Sequence, residues 1–394
     1  MLGANRPSWG YKRVCQRRSE RESAVTTIAY TTMPADLLKV GQGTPSKLYI
    51  PTLDGLRAVA FTIVFLSHAG LGDLVPGGFG VTTFFFLSGF LITSLFRHES
   101  AVTGSISIKK FYLRRILRIF PPLYISLFAM TLMVVFGFLS GKLSFWPILS
   151  QGLFLTNYYV LFGADPGGII HGSGTLWSLA VEEHFYLIYP FVLLFAVKVV
   201  DLRRLAVMLA IACALVLIWR VVLIVGFHAS DDRTYLATDT RIDSILFGCL
   251  LGAVCNPAMD RVLKLTAPQK AAMYAFGVML LLFTFVYRDE IFRSTFRYTI
   301  QGVALLPLFY LAVVDFRAPW FAILNWRPIR FFGTLTYSMY LIHLSIIYAV
   351  RLALPAVGSF GCGAIALVLT MSYAALLYIL VEKPAAHARR RLEG

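Results

Sequence analysis

Charge is scarce in this chain: only 14% of its 394 residues are charged, against 58% that are hydrophobic. A soluble protein of this length needs a larger polar surface, so a soluble globular domain is excluded. The catalytic loops readable from sequence are missing too. There is no GxSxG elbow, no HExxH zinc helix and no Walker loop, so the usual contexts for a hydrolase serine, a catalytic zinc or a nucleotide phosphate are absent. Five cysteines, Cys15, Cys213, Cys249, Cys255 and Cys362, are scattered without metal-site or disulfide spacing, and packing roles are expected for them. No metal is expected. The first 47 residues lack an apolar core and carry Arg17, Arg18 and Arg21, so they are not a secretory signal. A flexible cytoplasmic tail over 1–47 is expected, with Met33 a candidate start. Internal repeats and low-complexity segments are lacking as well.

What the chain has instead is apolar length. Mean hydropathy is +0.72, and several runs approach the ~20 residues that span a bilayer. Eleven runs stand out, at 52–70, 79–96, 119–139, 146–162, 176–197, 203–226, 241–256, 271–287, 299–315, 334–352 and 360–381. The net charge of +16 lies mainly between them, which fits membrane topology and calls for no nucleic acid. The basic segments are the N-terminal tail, 97–118, 198–204, 261–270, 317–330 and the tail HARRRLEG. All six fall on the cytoplasmic side when one run between 119 and 197 does not cross. The weakest is 146–162, with Pro147, Gln151, Asn157 and paired tyrosines, which reads as interfacial or re-entrant. The expected fold is all-α: a polytopic bundle of about ten spanning helices with both termini cytoplasmic. Residues 48–384 form the membrane domain and 385–394 a basic cytoplasmic tail.

Ionisable groups inside such a bundle are costly and tend to face a cavity or a partner. In LDGLRAVAFTIVFLSHAG, residues 53–70, Arg57 and His68 are eleven positions apart. At ~100° per residue they share a face, ~16 Å apart along the axis. Asp54, three residues before Arg57, can pair with it. Taken singly, Arg57 can snorkel and His68 can be a packing histidine; the common face is what points to a polar path. In KKFYLRRILRIFPPLY, Arg115 and Arg118 share a face at i,i+3 where a helix enters the membrane. Planar guanidiniums suit phosphate or carboxylate there, and topological anchoring is the ordinary alternative. GTLWSLAVEEHFYLIYP places Trp177, Glu182, Glu183 and Tyr186 on one helix. Glu182 shares a face with Tyr186, and a carboxylate here can orient His68 or pair with an arginine. Asp239, Arg241 and Asp243 in TDTRIDSILFG are expected at the outer mouth of a helix. Tyr337, Tyr340 and His343 in YSMYLIHLSI fall at i,i+3,i+6, and Ser88-Gly89 in FFFLSGFLIT permits close approach.

These six stretches, in this order over residues 48–384, resemble the integral-membrane acyltransferase-3 family of bacterial polysaccharide O-acetylases. Arg57 and His68 match its arginine–ten residues–histidine signature, and Arg115 and Arg118 its RxxR. The resemblance implies an enzyme of the bacterial inner membrane, multi-pass, without an appended SGNH-type domain. It would pass an acyl group, usually acetyl from cytoplasmic acetyl-CoA, to a hydroxyl of a glycan or glycolipid at the outer face. Carried over, Arg57, Arg115 and Arg118 would hold the donor. His68 would be the catalytic residue, as general base or transient acyl carrier, with Glu182 as the family's glutamate. Asp54, Ser88, Trp177, Glu183, Tyr186, Asp239, Arg241, Asp243, Tyr340 and His343 would support the site or the acceptor. The EEH here departs from the family's common EQ and leaves His184 without an assigned role. Membrane lipid is an expected partner, and a homo-oligomer is compatible with the pattern. The rival class is a transporter or flippase for a lipid-linked glycan, with the same buried charges lining a substrate path.

Overall fold

The structure, a computed structural model, describes residues 49–165, 168–199 and 201–393. The N-terminal segment 1–47 and the start at Met33 fall outside them. The described residues form helices and no strand. Ten helices carry the architecture: α1 (Pro51–Leu66), α2 (Gly77–Thr103), α3 (Ile108–Val135), α4 (Leu176–Val199), α5 (Leu202–Val221), α6 (Thr238–Val254), α7 (Ala267–Val286), α8 (Phe296–Val314), α9 (Arg327–Ala353) and α10 (Ser359–Leu377). Their starts follow local chemistry. Proline occupies the first turn of α1, α7 and α9, where its missing N–H costs nothing. Ser107 caps α3 and Asp201 caps α5 through their side chains.

Among the described residues, nine helical segments are long and apolar enough to cross a membrane. The tenth long helix, α6, has 17 residues, about 26 Å at the usual rise. It sits against α2, α5 and α8 in the middle of the bundle, and most of its side chains are buried. Outer helices are the reverse: on α5, Val207, Ile211, Leu215 and Ile218 lie exposed, as a lipid-facing surface requires. Small residues let α2 and α6 approach closely. A Cβ at Gly89 would lie 2.0 Å from the Ile245 carbonyl oxygen, and one at Gly248 would lie 2.0 Å from that of Phe86.

The run 146–162 does not span. It forms two short helices, Phe145–Gly152 and Thr156–Phe162, separated by a turn in which Phe154 takes φ +57°. The basic C-terminal segment continues α10 through a π-turn at Tyr378–Glu382 into a further helix, Lys383–Glu393, packed against α3. Starts and ends converge as an even number of long helices demands. Tyr337 near the start of α9 donates its hydroxyl to the Ile119 carbonyl of α3 at 2.9 Å, and Ser338 donates to Glu382 just beyond α10. The starts of α1, α3 and α9 and the end of α10 thus share one face of the bundle.

Candidate functional site

Two clusters of ionisable side chains lie at different depths. The first is on the shared face. Arg57 donates to Asp54 at 2.6 Å, the i,i+3 pair expected from spacing. Arg115 lies with its guanidinium 4.2 Å from the Tyr186 ring centroid, and Arg118 lies close enough to Arg57 and Arg115 for mutual repulsion. Neither Arg115 nor Arg118 forms an ion pair with a carboxylate among the described residues. Two of the three guanidiniums thus keep their N–H groups outside any carboxylate salt bridge, a geometry that suits an anion, while Glu182, Glu183 and Glu382 stand near enough to act on them.

Glu182 borders this cluster. Tyr186, one turn along α4, donates its hydroxyl to one carboxylate oxygen at 2.9 Å, and Ser88 of α2 donates to the other at 3.0 Å. Arg115 and Arg57 act on it electrostatically. This corrects the expectation that Glu182 orients His68: its two hydrogen bonds go elsewhere, and His68 has a different partner. Glu183 lies on the same side, near Arg115 and Glu182. His184 bonds Thr238 through Nδ1 at 2.7 Å and stacks on Tyr158, a local packing role.

The second cluster surrounds His68. Here α1 gives way to a π-turn, Ser67–Leu71, made possible by Gly70 at φ +115°. The turn leaves the His68 carbonyl to accept from Arg351 of α9 at 3.1 Å. His68 Nδ1 meets His343 Nε2 at 2.9 Å, while His343 itself is fully buried. One turn earlier, the Tyr340 hydroxyl pairs with Ser178 of α4 at 2.7 Å. His68, Ser67, Trp177, Tyr235 and Tyr340 line a pocket of about 360 Å³, within the usual range for small-ligand sites. Behind its wall, Arg241 is fully buried. Its guanidinium lies 3.9 Å from the Tyr298 ring centroid, with Tyr235, Phe85 and Trp177 within 6 Å. It donates to Thr82 at 3.1 Å, its Nε has no partner, and no carboxylate among the described residues forms an ion pair with it.

The trio expected at one outer mouth is therefore dispersed. Asp239 pairs with Arg233 at 2.6 Å and accepts from Trp219. Asp243 points into the bundle, where Arg220 meets it at 2.7 Å with both side chains fully buried. Helical periodicity sets position 241 about 200° from both 239 and 243, so Arg241 faces away from the two aspartates, which lie one turn apart on the same side of the helix and meet different partners. Sequence reasoning missed Arg220, Tyr235, Ser178 and Arg351. Arg220 carried the clearest signal, as the one charge after Arg203 and Arg204 in the run 203–226.

Comparison with known proteins adds the family. Residues 50–381 match the family described as an acyltransferase domain, the acyltransferase-3 type. The peptidoglycan O-acetyltransferase OatA of Listeria monocytogenes is 30% identical over 326 residues, covering 77% of this chain and 50% of that protein. A putative peptidoglycan O-acetyltransferase of Bacillus subtilis, YrhL, is 31% identical, over 85% of this chain and 55% of its own length. A putative O-acetyltransferase of Staphylococcus aureus is 30% identical, over 85% and 57%. The chain thus spans about half the length of the curated relatives it matches. No solved structure matches it. With a match running through nearly the whole bundle, the chain belongs to the integral-membrane acyltransferase-3 family.

Proposed function

We propose that the chain is a multi-pass O-acyltransferase of the bacterial inner membrane. It moves an acyl group, acetyl in the simplest case, from cytoplasmic acetyl-CoA to a glycan hydroxyl on the opposite side. The observation that carries this reading is the separation of a cation-rich cluster from a histidine pocket within one bundle. Arg57, Arg115 and Arg118 suit the phosphates of the donor, because Arg115 and Arg118 form no ion pair with a carboxylate among the described residues and a planar guanidinium can give a phosphate two hydrogen bonds. The donor supplies an activated thioester.

The rest of the reaction falls to the pocket. Trp177 and Tyr235, with ring centroids 4.8 Å apart, offer apolar faces on which a sugar ring can lie, with His68 beside them. His68 takes the proton of the acceptor hydroxyl as its oxygen bonds to the acyl carbon and the carbon–sulfur bond breaks. The proton then passes to the leaving sulfur. Transient acylation of His68 is the mechanistic alternative. Peptidoglycan is the acceptor in the name of the Listeria relative, and a peptidoglycan glycan is the acceptor to test first.

The test uses full-length protein in proteoliposomes with labelled acetyl-CoA and a muramic-acid-containing glycan. Label transferred to glycan hydroxyls and abolished by His68→Ala supports the reading. Undiminished transfer by a folded His68→Ala protein overturns the role of His68. Glycan movement without acetylation would instead assign a transporter.

A further inference from the structure

The contacts of two rings, read from the buried end outward, decide which nitrogen of His68 is free to react. The Tyr340 backbone oxygen lies 2.9 Å from His343 Nδ1. A carbonyl only accepts, so His343 Nδ1 carries a proton. The His343 ring is fully buried among Phe61, Phe65 and Tyr340, and no carboxylate among the described residues bonds to it. A second proton on its Nε2 would leave an unpaired imidazolium in an apolar setting, which is costly. His343 Nε2 therefore holds a lone pair. His68 Nδ1, 2.9 Å away, must supply the proton in that contact. The two rings are inclined by only 26° with centroids 5.2 Å apart, as suits imidazoles joined through an in-plane bond. With its proton on Nδ1, neutral His68 has a bare Nε2, and that edge is the one left for the pocket it lines.

We infer that His343 is a positioning residue that locks His68 in the Nδ1-protonated tautomer, leaving Nε2 as the reactive atom toward the pocket. The inference rests on the proposed role of His68. Proton flow balances. When Nε2 takes the hydroxyl proton, the acceptor oxygen bonds to the acyl carbon and the carbon–sulfur bond breaks, and Nε2 later returns the proton to the thiolate. In the interval His68 is an imidazolium whose Nδ1–H bond to neutral His343 becomes charge-assisted and so strengthens. Arg351 completes the arrangement by holding the His68 carbonyl, so the ring is fixed from its backbone as well as from its far edge.

Two variants separate this from simple packing. His343→Leu removes the acceptor at similar size, whereas His343→Gln returns an amide oxygen near the position of Nε2. In proteoliposomes supplied with acetyl-CoA and glycan, the Leu variant should lose about 10²–10⁴-fold in kcat, the usual worth of a positioned base. Its KM for acetyl-CoA should change little, and Gln should recover at least about tenfold of the loss. Nitrogen-15 spectra of histidine-labelled protein, with the His68→Ala spectrum subtracted, should show His68 protonated on Nδ1 alone. A folded Leu variant with undiminished kcat overturns the inference, as does a Gln variant no better than Leu. If the Leu variant does not fold, the spectrum of the parent protein decides. A proton found on His68 Nε2, together with an inactive His68→Ala protein, overturns this inference alone. Full activity of His68→Ala overturns the parent reading instead.

Discussion

The Arg220–Asp243 pair allows a magnitude to be worked from the structure. Arg220 donates to both carboxylate oxygens, at 2.9 and 2.7 Å, and its Nε donates to the Thr295 carbonyl at 2.9 Å. The Thr299 hydroxyl and the Ser244 amide also donate to Asp243, each at 2.9 Å. One ion pair therefore ties α5, α6 and α8 together. Asp243→Asn keeps the shape but turns an amide NH₂ toward the guanidinium and removes the only formal negative charge in the pair. Breaking a buried pair in this way costs about 3–5 kcal/mol, a large share of the roughly 5–15 kcal/mol that holds typical proteins folded. Arg220→Met with Asp243→Leu leaves no uncompensated charge and should cost less than Asp243→Asn alone, a coupling that a double-mutant cycle reads directly. The assay is the heating midpoint of detergent-solubilised protein, followed by size-exclusion of a fluorescent fusion. Asp243→Asn should lower the midpoint clearly and the double variant should recover part of the loss. An Asp243→Asn midpoint equal to that of the parent would refute the reasoning.

Two further perturbations probe the donor cluster and the helix seam. Arg118→Gln should raise KM for acetyl-CoA by roughly 10–100-fold, the worth of about 1.5–3 kcal/mol for a hydrogen bond to a charged group. Lysine at that site should recover part of it, because the charge returns but the planar fork does not; an unchanged KM in steady-state assays would remove Arg118 from the donor site. Gly248→Ala sets a methyl 2.0 Å from the Phe86 carbonyl oxygen, so α2 and α6 must part and the folded yield should fall. Gly358→Ala meets nothing within 4 Å and should express normally, and equal yields for the two would show that the seam tolerates side chains.

What the sequence made legible was whatever depends on neighbours along the chain. Apolar length located the ten long helices, and polar interruptions marked 146–162 as the run that breaks. Helical spacing predicted Asp54 with Arg57 and Glu182 with Tyr186, because residues three or four apart stack on one face. Pairings across helices were not legible. His68 and His343 are 275 positions apart, and whether they meet depends on how α1 and α9 are rotated about their axes. The π-turn at Ser67–Leu71 adds to that uncertainty, since uniform 100° steps cease to hold where an extra residue enters the turn. The expected partner of His68, Glu182, was wrong for this reason: its charge was visible, but the rotation that turns it toward Ser88 was not.

The two clusters are joined, and the joint bears on how a reaction would cross the bundle. Along α1, Arg57 and His68 are about 16 Å apart. Along α4 the gap is shorter: Ser178, bonded to Tyr340, lies one turn from Glu182, bonded to Ser88 and Tyr186. Tyr340 in turn stands one turn before His343 on α9, with ring centroids 5.4 Å apart. Polar side chains thus step from the guanidiniums to the histidines without a fully apolar layer between them. Glu182, Ser88 and His68 are each partly exposed, and at the far end His68 and Tyr340 line the pocket. A bundle that needed only stability would gain from replacing them with hydrocarbon, because ionisable groups at membrane depth are expensive. Their placement makes sense if a polar chain must thread between the clusters. In the proposed reaction, phosphates held by Arg115 and Arg118 would stay at one face while the arm that bears the acyl group reaches His68, and only the acyl group would pass on to the acceptor.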